Sequence, residues 1–316
     1  MNYEKLRSDS KQFQALTSFS VEEFDKLLLH FLKSWQKHNS TYLYNGSYRY
    51  NKASTSGRGK LPTAAHKLFF ILYYYKNNPI QEALAASFDM KQSQANLWVK
   101  KIEFILSETL KESGFTPIRD VEVLHNYLES HQEEEHLLLD ATEREVPRSL
   151  DYEEQKRHYS GKKKAHSVKN NILSNFEGRI LYLSETYQGS KHDKGICNEV
   201  PFHFPKLEVG QLRFLWQDTG YQGHQVEGAV VLQPIKKKKN IDLTENEKKY
   251  NKSISQFRVY VEHSIGAVKR LRVVKECLRN WKEGARDTVM EIACALHNFR
   301  IILRNKKNKP VFTSKI

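Results

Sequence analysis

Between residues 136 and 235 the apolar residues come in short runs bounded by turn residues, whereas the flanking segments repeat them every three or four positions. Short runs suit strands and a period of 3.6 suits helices, so the middle of such a chain builds a sheet and its flanks build helices. The runs are Leu137–Leu139, "KKKAHSVKNNILSN" and "GRILYLSETYQG" around a turn at Phe176–Gly178, "LRFLWQD" at 212–218 and "AVVLQPI" at 229–235. A short helix is expected at 193–200, and longer ones from about Thr244 to Arg279 and from Arg286 to Leu303. Three strands, a short helix, a strand, a shorter strand and long helices make an α/β mixed sheet with helices packed on it.

Helical spacing dominates before residue 110. Ser20 and Glu23 form a capping box ahead of Phe24, Leu27, Leu28 and Phe31. Residues 41–62, rich in Tyr, Ser, Gly and Lys, read as a loop or linker, and a helix follows from about Ala64 to Lys76. Then come a short helix (Gln81–Phe88), a tight break at Asp89 and Met90, and a longer helix from about Gln92 to Leu106. Those lengths are a helix-turn-helix pattern, at about 81–106. Trp98, Ile102 and Ile105 are expected to face inward, leaving Gln92, Ser93, Gln94, Asn96 and Lys100 outward, where such side chains reach base edges and phosphates.

Helical hairpins with a polar face also occur in proteins that never touch DNA. Charge tips the balance, because 51 Lys and Arg against 37 Asp and Glu give +14 and call for a polyanionic partner. No apolar run approaches about 20 residues and the first residues lack a signal-peptide core, so no membrane role is expected. The expected location is cytoplasmic, and nucleoid-associated in a bacterium. Cys197, Cys277 and Cys294 are too scattered for a disulfide framework or a zinc knuckle. The expected division is a helical DNA-binding region at 1–110, a linker at 111–135 and a catalytic domain at 136–316.

Two of the apolar runs end in an aspartate, Asp140 and Asp218. A strand that ends in an acid puts the carboxylate at the sheet's rim, where open α/β folds place their sites. Two such acids side by side repel unless a cation lies between them, and Mg²⁺ suits a site of few carboxylates and substrate phosphates. A third acid would complete a two-metal centre, with ions about 3.5–4 Å apart, for in-line phosphoryl transfer. Glu262 is the candidate: it stands at the edge of the apolar stripe Ile254, Phe257, Val261, Ile265, Val268 and Leu271, in one band with Arg258 and Lys269. Each acid also has an ordinary reading, since Asp140 or Asp218 can serve a turn and Glu262 can pair with Arg258 four residues away. Asp193 in "GSKHDK" competes for the second aspartate, but its context suits a helix cap and Asp218 is preferred. Lys162, Lys163, Lys164 and Lys169, with Tyr159 and His166 among them, form the densest basic feature near the acids and are expected on a phosphate backbone, as more loosely is the run Lys236–Lys239.

The segments "LLLDATERE", "YSGKKKAHSVK", "GSKHDK", "LWQDTGYQG" and "RVYVEHSIGAVKR" together resemble the DDE transposases of bacterial insertion sequences, in the branch related to eukaryotic Harbinger elements. Their order and separations match over roughly 137–300, and the preceding half resembles that family's helix-turn-helix region. The resemblance implies an RNase H-like fold, with Asp140, Asp218 and Glu262, separated by 78 and 44 positions, holding two Mg²⁺ ions or Mn²⁺ in their place. It also implies cleavage at transposon terminal repeats, transfer of the freed 3′ hydroxyl to double-stranded target DNA, and a homo-oligomer on DNA. A related pattern, Tyr-x2-Arg-x3-Glu-x6-Lys, fits Arg258, Glu262 and Lys269 as phosphate contacts, but Ser255 stands at the tyrosine position.

Overall fold

The computed structural model describes residues 1–41, 47, 48, 50, 59–208, 210–237, 239, 241–277, 279, 280 and 284–305. Most of the loop expected at 41–62, and Lys238 of the lysine run, lie outside them. In chain order the elements are α1 (Tyr3–Ser8), α2 (Ser10–Thr17), α3 (Val21–Thr41), α4 (Ala64–Asn77), α5 (Gln81–Ser87), α6 (Gln92–Glu112), α7 (Val121–Ser130), β1 (His136–Glu145), α8 (Tyr152–His158), β2 (Tyr159–Ser160), β3 (Ala165–Asn175), β4 (Ile180–Leu183), β5 (Tyr187–Gln188), α9 (Asp193–Glu199), β6 (Phe214–Gln217), β7 (Val230–Leu232), α10 (Glu245–Val268), α11 (Arg272–Lys275) and α12 (Ala285–Asn305). They fall into two units, Met1–Thr116 with Lys269–Glu276, and Pro117–Val268 with Cys277–Ile316.

The first unit is helical and built around α4, whose Leu68, Phe69, Phe70, Ile71 and Leu72 are all buried, as a helix apolar on every side must be. Phe13 of α2 and Phe24 of α3 meet edge to face at 5.2 Å beside Phe69. The capping box that starts α3 is present, Ser20 N–H donating to Glu23 (3.0 Å) and Glu23 N–H to Ser20 Oγ (3.1 Å). Between α5 and α6 the chain turns through Asp89, at φ 51°, and Phe88 packs edge-on against Phe70 at 4.9 Å. This is the expected helix-turn-helix, with α6 running on to Glu112. Lys67 is buried, its ammonium donating to the Leu61 carbonyl (2.6 Å) and lying over the rings of Trp35 and Trp98. Burial, with Lys101 nearby, lowers its pKa to about 8.

The second unit is the mixed sheet flanked by helices. β1 pairs antiparallel with β3, and β3 antiparallel with β4. On its other edge β1 runs parallel to β6, and β6 parallel to β7. β2 and β5 are two-residue strands on β3, too short to leave a sequence pattern. Side-chain alternation divides the core. Leu137, Leu139 and Leu215 pack with Leu124 and Leu128 of α7 and Cys197 of α9, while Leu138 and Trp216 pack with Ile254 and Val261 of α10. Helix α12 is stitched to β4 by Asn298, whose side chain accepts from Ile180 N–H and donates to its carbonyl, each at 2.8 Å.

Two boundaries differ from expectation. Residues 117–135 are no linker, because α7 buries Leu124 and Leu128 in the sheet's core and belongs to the second unit. The helix expected to reach Arg279 stops at Val268: Leu271 turns extended to begin α11, which buries Val273 and Val274 in the first unit.

Candidate active site

The parallel pairing of β1 and β6 ends at Leu139 opposite Gln217, so Asp140 and Asp218 are the next residues in register. Alternation puts both on the face of Leu138 and Trp216, the face that α10 covers. Contrary to expectation Asp140 does not end its strand, because β1 continues against β3 as far as Glu145. It ends only the parallel pairing, and that is what opens a crevice at the carboxyl end of β6. Asp218 also accepts from Thr219 N–H at 2.6 Å, capping the 3-10 turn Thr219–Tyr221, so the turn role and the rim position coexist.

Helix α10 carries the third candidate, Glu262. Phe257 lies on Trp216 at 4.1 Å between ring centres and stacks on Phe176 at 5.6 Å, fixing the helix to the sheet. Five positions on from Phe257 along this helix, Glu262 remains 54% exposed. Arg258 lies between the acids, 3.3 Å from Asp218 Oδ1 and 3.4 Å from Glu262 Oε1. The pairing of Arg258 with Glu262 that spacing suggests is therefore real, and it extends to Asp218.

Asp140 accepts from Ala141 N–H at 2.8 Å. Burial pushes its pKa up to about 6, with the charges of Asp218 and Asp193 adding to the rise and the Ala141 N–H and Arg258 opposing it. A carboxyl held high by burial and like charge favours a cation as neighbour. The donor chemistry of the three candidate acids, hard carboxylate oxygens, is of the kind that a divalent cation takes. As they stand the three carboxylates are not gathered: among the described residues no group of three or more His, Cys, Asp or Glu is close enough together to hold a metal ion.

Lys169 departs from its expected place on a phosphate backbone. It is 7% exposed, and its ammonium lies 3.0 Å from Asp193 and 3.5 Å from Glu143, themselves 17% and 10% exposed. Asp193 accordingly does not cap α9, where His192 takes the cap position, but holds Lys169. Sequence reading missed this triad; its signal is a lysine inside the otherwise buried strand "SVKNNIL". Lys162, Lys163 and Lys164 are exposed on the turn between β2 and β3, which Lys164 closes at φ 53°. A cleft of about 640 Å³ runs from that turn past Asp193 and Asp218 to Lys236 and Lys237. Lys269 follows the last residue of α10 and belongs to the first unit. Ser255 is exposed and donates to the Asn251 carbonyl at 2.9 Å, an ordinary helix back-bond.

In the first unit Gln92, Gln94 and Lys100 are exposed at the start of α6, while Asn96 is half-buried. Gln94 accepts from Lys91 N–H at 3.0 Å and so caps the helix, and Gln92 donates to Gln81.

Residues 139–298, half of the chain and all three acids, match the DDE superfamily endonucleases. The chain belongs to that superfamily. Residues 59–112 of this DDE endonuclease match the helix-turn-helix of DDE superfamily endonucleases, covering α4 to α6. The chain is 22% identical over 255 residues, 80% of its own length and 86% of the relative's, to the "Probable transposase for insertion sequence element IS702" of Microchaete diplosiphon. No solved structure matches it. The match reaches the superfamily and not its Harbinger-related branch. The helix-turn-helix and endonuclease segments give this DDE endonuclease DNA as its partner, and no described helix is long and apolar enough to cross a membrane.

Proposed function

We propose that this DDE endonuclease is a DNA transposase that cuts a phosphodiester at the end of its element and joins the freed 3′ hydroxyl to target DNA. The observation that carries the reading is the register of Asp140 with Asp218 on the sheet face to which α10 brings Glu262. These three residues would hold two Mg²⁺ ions, with Mn²⁺ able to replace them. Bound there, the metals would activate the attacking oxygen and neutralise the leaving one.

The chain's own residues do the rest. Asp140 has to shed its proton, which its raised pKa allows above about pH 6. Lys162, Lys163 and Lys164 stand exposed on one turn, with Lys162 lining the cleft that passes Asp218, and would grip the DNA backbone there. Gln92, Asn96 and Lys100 of α6 offer contacts to bases and phosphates in the helix-turn-helix. Arg258 and Lys269 are further phosphate contacts in this reading, and a homo-oligomer on DNA would hold two element ends together. In a bacterial host the protein would work at the nucleoid.

The test is cleavage of a duplex ending in the element's terminal repeat, with Mg²⁺, by the wild type and by Glu262→Gln. Expected are nicked ends and joined products from the wild type and neither from the variant. Full activity in the variant sinks the three-acid assignment. Cut ends without joined product indicate a hydrolytic nuclease instead. Tight binding with no cutting by the wild type indicates a DNA-binding protein that has lost the reaction.

A further inference from the structure

We propose that Arg258 occupies the place of a divalent cation between Asp218 and Glu262, and that it must leave both carboxylates before a metal is seated there. This rests on the reading of those acids as metal ligands. The guanidinium reaches Asp218 with Nη1 and Glu262 with Nη2, one contact to each, so it links the end of β6 to α10 as a shared cation would. Without it, Asp218 and Glu262 would lose the cation that they share.

The arginine is poorly housed for a permanent tie. Its contacts of 3.3 and 3.4 Å are longer than the roughly 2.7–2.9 Å of a well-formed charge-assisted hydrogen bond. Its Nε is buried and has no hydrogen-bond partner. Lys169 shows the contrast nearby, being deeply buried and close to its first acid at 3.0 Å. The Arg258 side chain is 16% exposed and pairs with Glu262, itself 54% exposed, so the guanidinium reaches the solvent edge of α10 while its stem stays covered.

A metal and the guanidinium cannot both hold the same two oxygens. Metal entry would release a planar five-donor fork whose geometry fits a phosphate, beside the acids that cut one. The two events are then coupled through one side chain: loading metal frees Arg258 for DNA, and DNA that draws Arg258 away strengthens metal binding by the same factor.

The experiment is Mn²⁺ binding to the full chain without DNA, by calorimetry at about pH 8 where the carboxylates are ionised. Arg258→Gln is expected to bind Mn²⁺ more tightly than the wild type, on the order of tenfold for the loss of two partly exposed ion pairs. Arg258→Lys keeps the charge but cannot span both acids, and should fall between them. Equal or weaker binding by a folded Arg258→Gln overturns the proposal. No Mn²⁺ bound by any of the three proteins overturns it too, and with it the reading of the acids as ligands. A wild-type crystal grown with Mn²⁺ needs no variant: the guanidinium should be off both carboxylates, and a seated metal with Arg258 still bridging would refute the displacement.

Discussion

Replacing Lys169 with Met should cost the second unit about 3–5 kcal/mol, the usual penalty for breaking a buried ion pair from one side. The ammonium lies 3.0 Å from Asp193 and 3.5 Å from Glu143, with all three side chains at or below 17% exposure. At an effective dielectric of about 20 each contact is worth roughly 5 kcal/mol of attraction before desolvation is subtracted. Removing the lysine loses both and leaves two carboxylates to face each other with little water. Native-state hydrogen exchange at the β1 and β3 amides reads the loss locally, which suits a protein of two units. The reasoning fails if protection changes by less than about 1 kcal/mol while DNA affinity falls and its salt dependence drops by about one phosphate contact. That outcome would return Lys169 to the backbone-gripping role its neighbours suggest.

Asp140 gives a pH dependence. Its folded pKa, about 6, lies above the ordinary 3.8, so the folded state holds the proton more tightly and stability falls as pH rises from about 4 to 6. The loss should amount to about 2–3 kcal/mol, and Asp140→Asn should flatten that stretch of a denaturation-versus-pH curve. Gly228 sits at φ 81°, where an added Cβ would come within 1.9 Å of the Phe204 carbonyl oxygen, so Gly228→Ala should lose at least about 2 kcal/mol in urea unfolding. In the first unit, Gln94→Ala should lower the thermal midpoint by the equivalent of about 0.5–1 kcal/mol through the lost cap, whereas Lys100→Ala should weaken DNA binding and leave the midpoint unchanged.

What could be read ahead of the structure was whatever periodicity or register records. The apolar runs at 137–139, 172–173 and 214–216 become the central strands, and the stripe on α10 packs where its spacing points. Asp140, Asp218 and Glu262 stand out as candidates because each closes or borders such a run. Partners distant in sequence leave no such trace. Nothing local says that Lys169 meets Asp193, 24 residues on, or that Arg258 reaches back to Asp218 as well as along its own helix to Glu262. The end of α10 is hidden for a related reason: Leu271 keeps the helical spacing but is buried with Val273 and Val274 in the other unit, and tertiary burial overrides the pattern. α7 resembles a linker in sequence because its charged flanks hide a stripe of only two fully buried leucines.

The most direct measurement is Mg²⁺-dependent cleavage of terminal-repeat DNA by Asp140→Asn, Asp218→Asn and Glu262→Gln, with DNA affinity recorded in parallel. All three should lose activity by about a thousandfold, the several kcal/mol that metal-held oxygens contribute to phosphoryl transfer, while still binding DNA. Near-wild-type cleavage by any one of them would contradict a site built from these three acids.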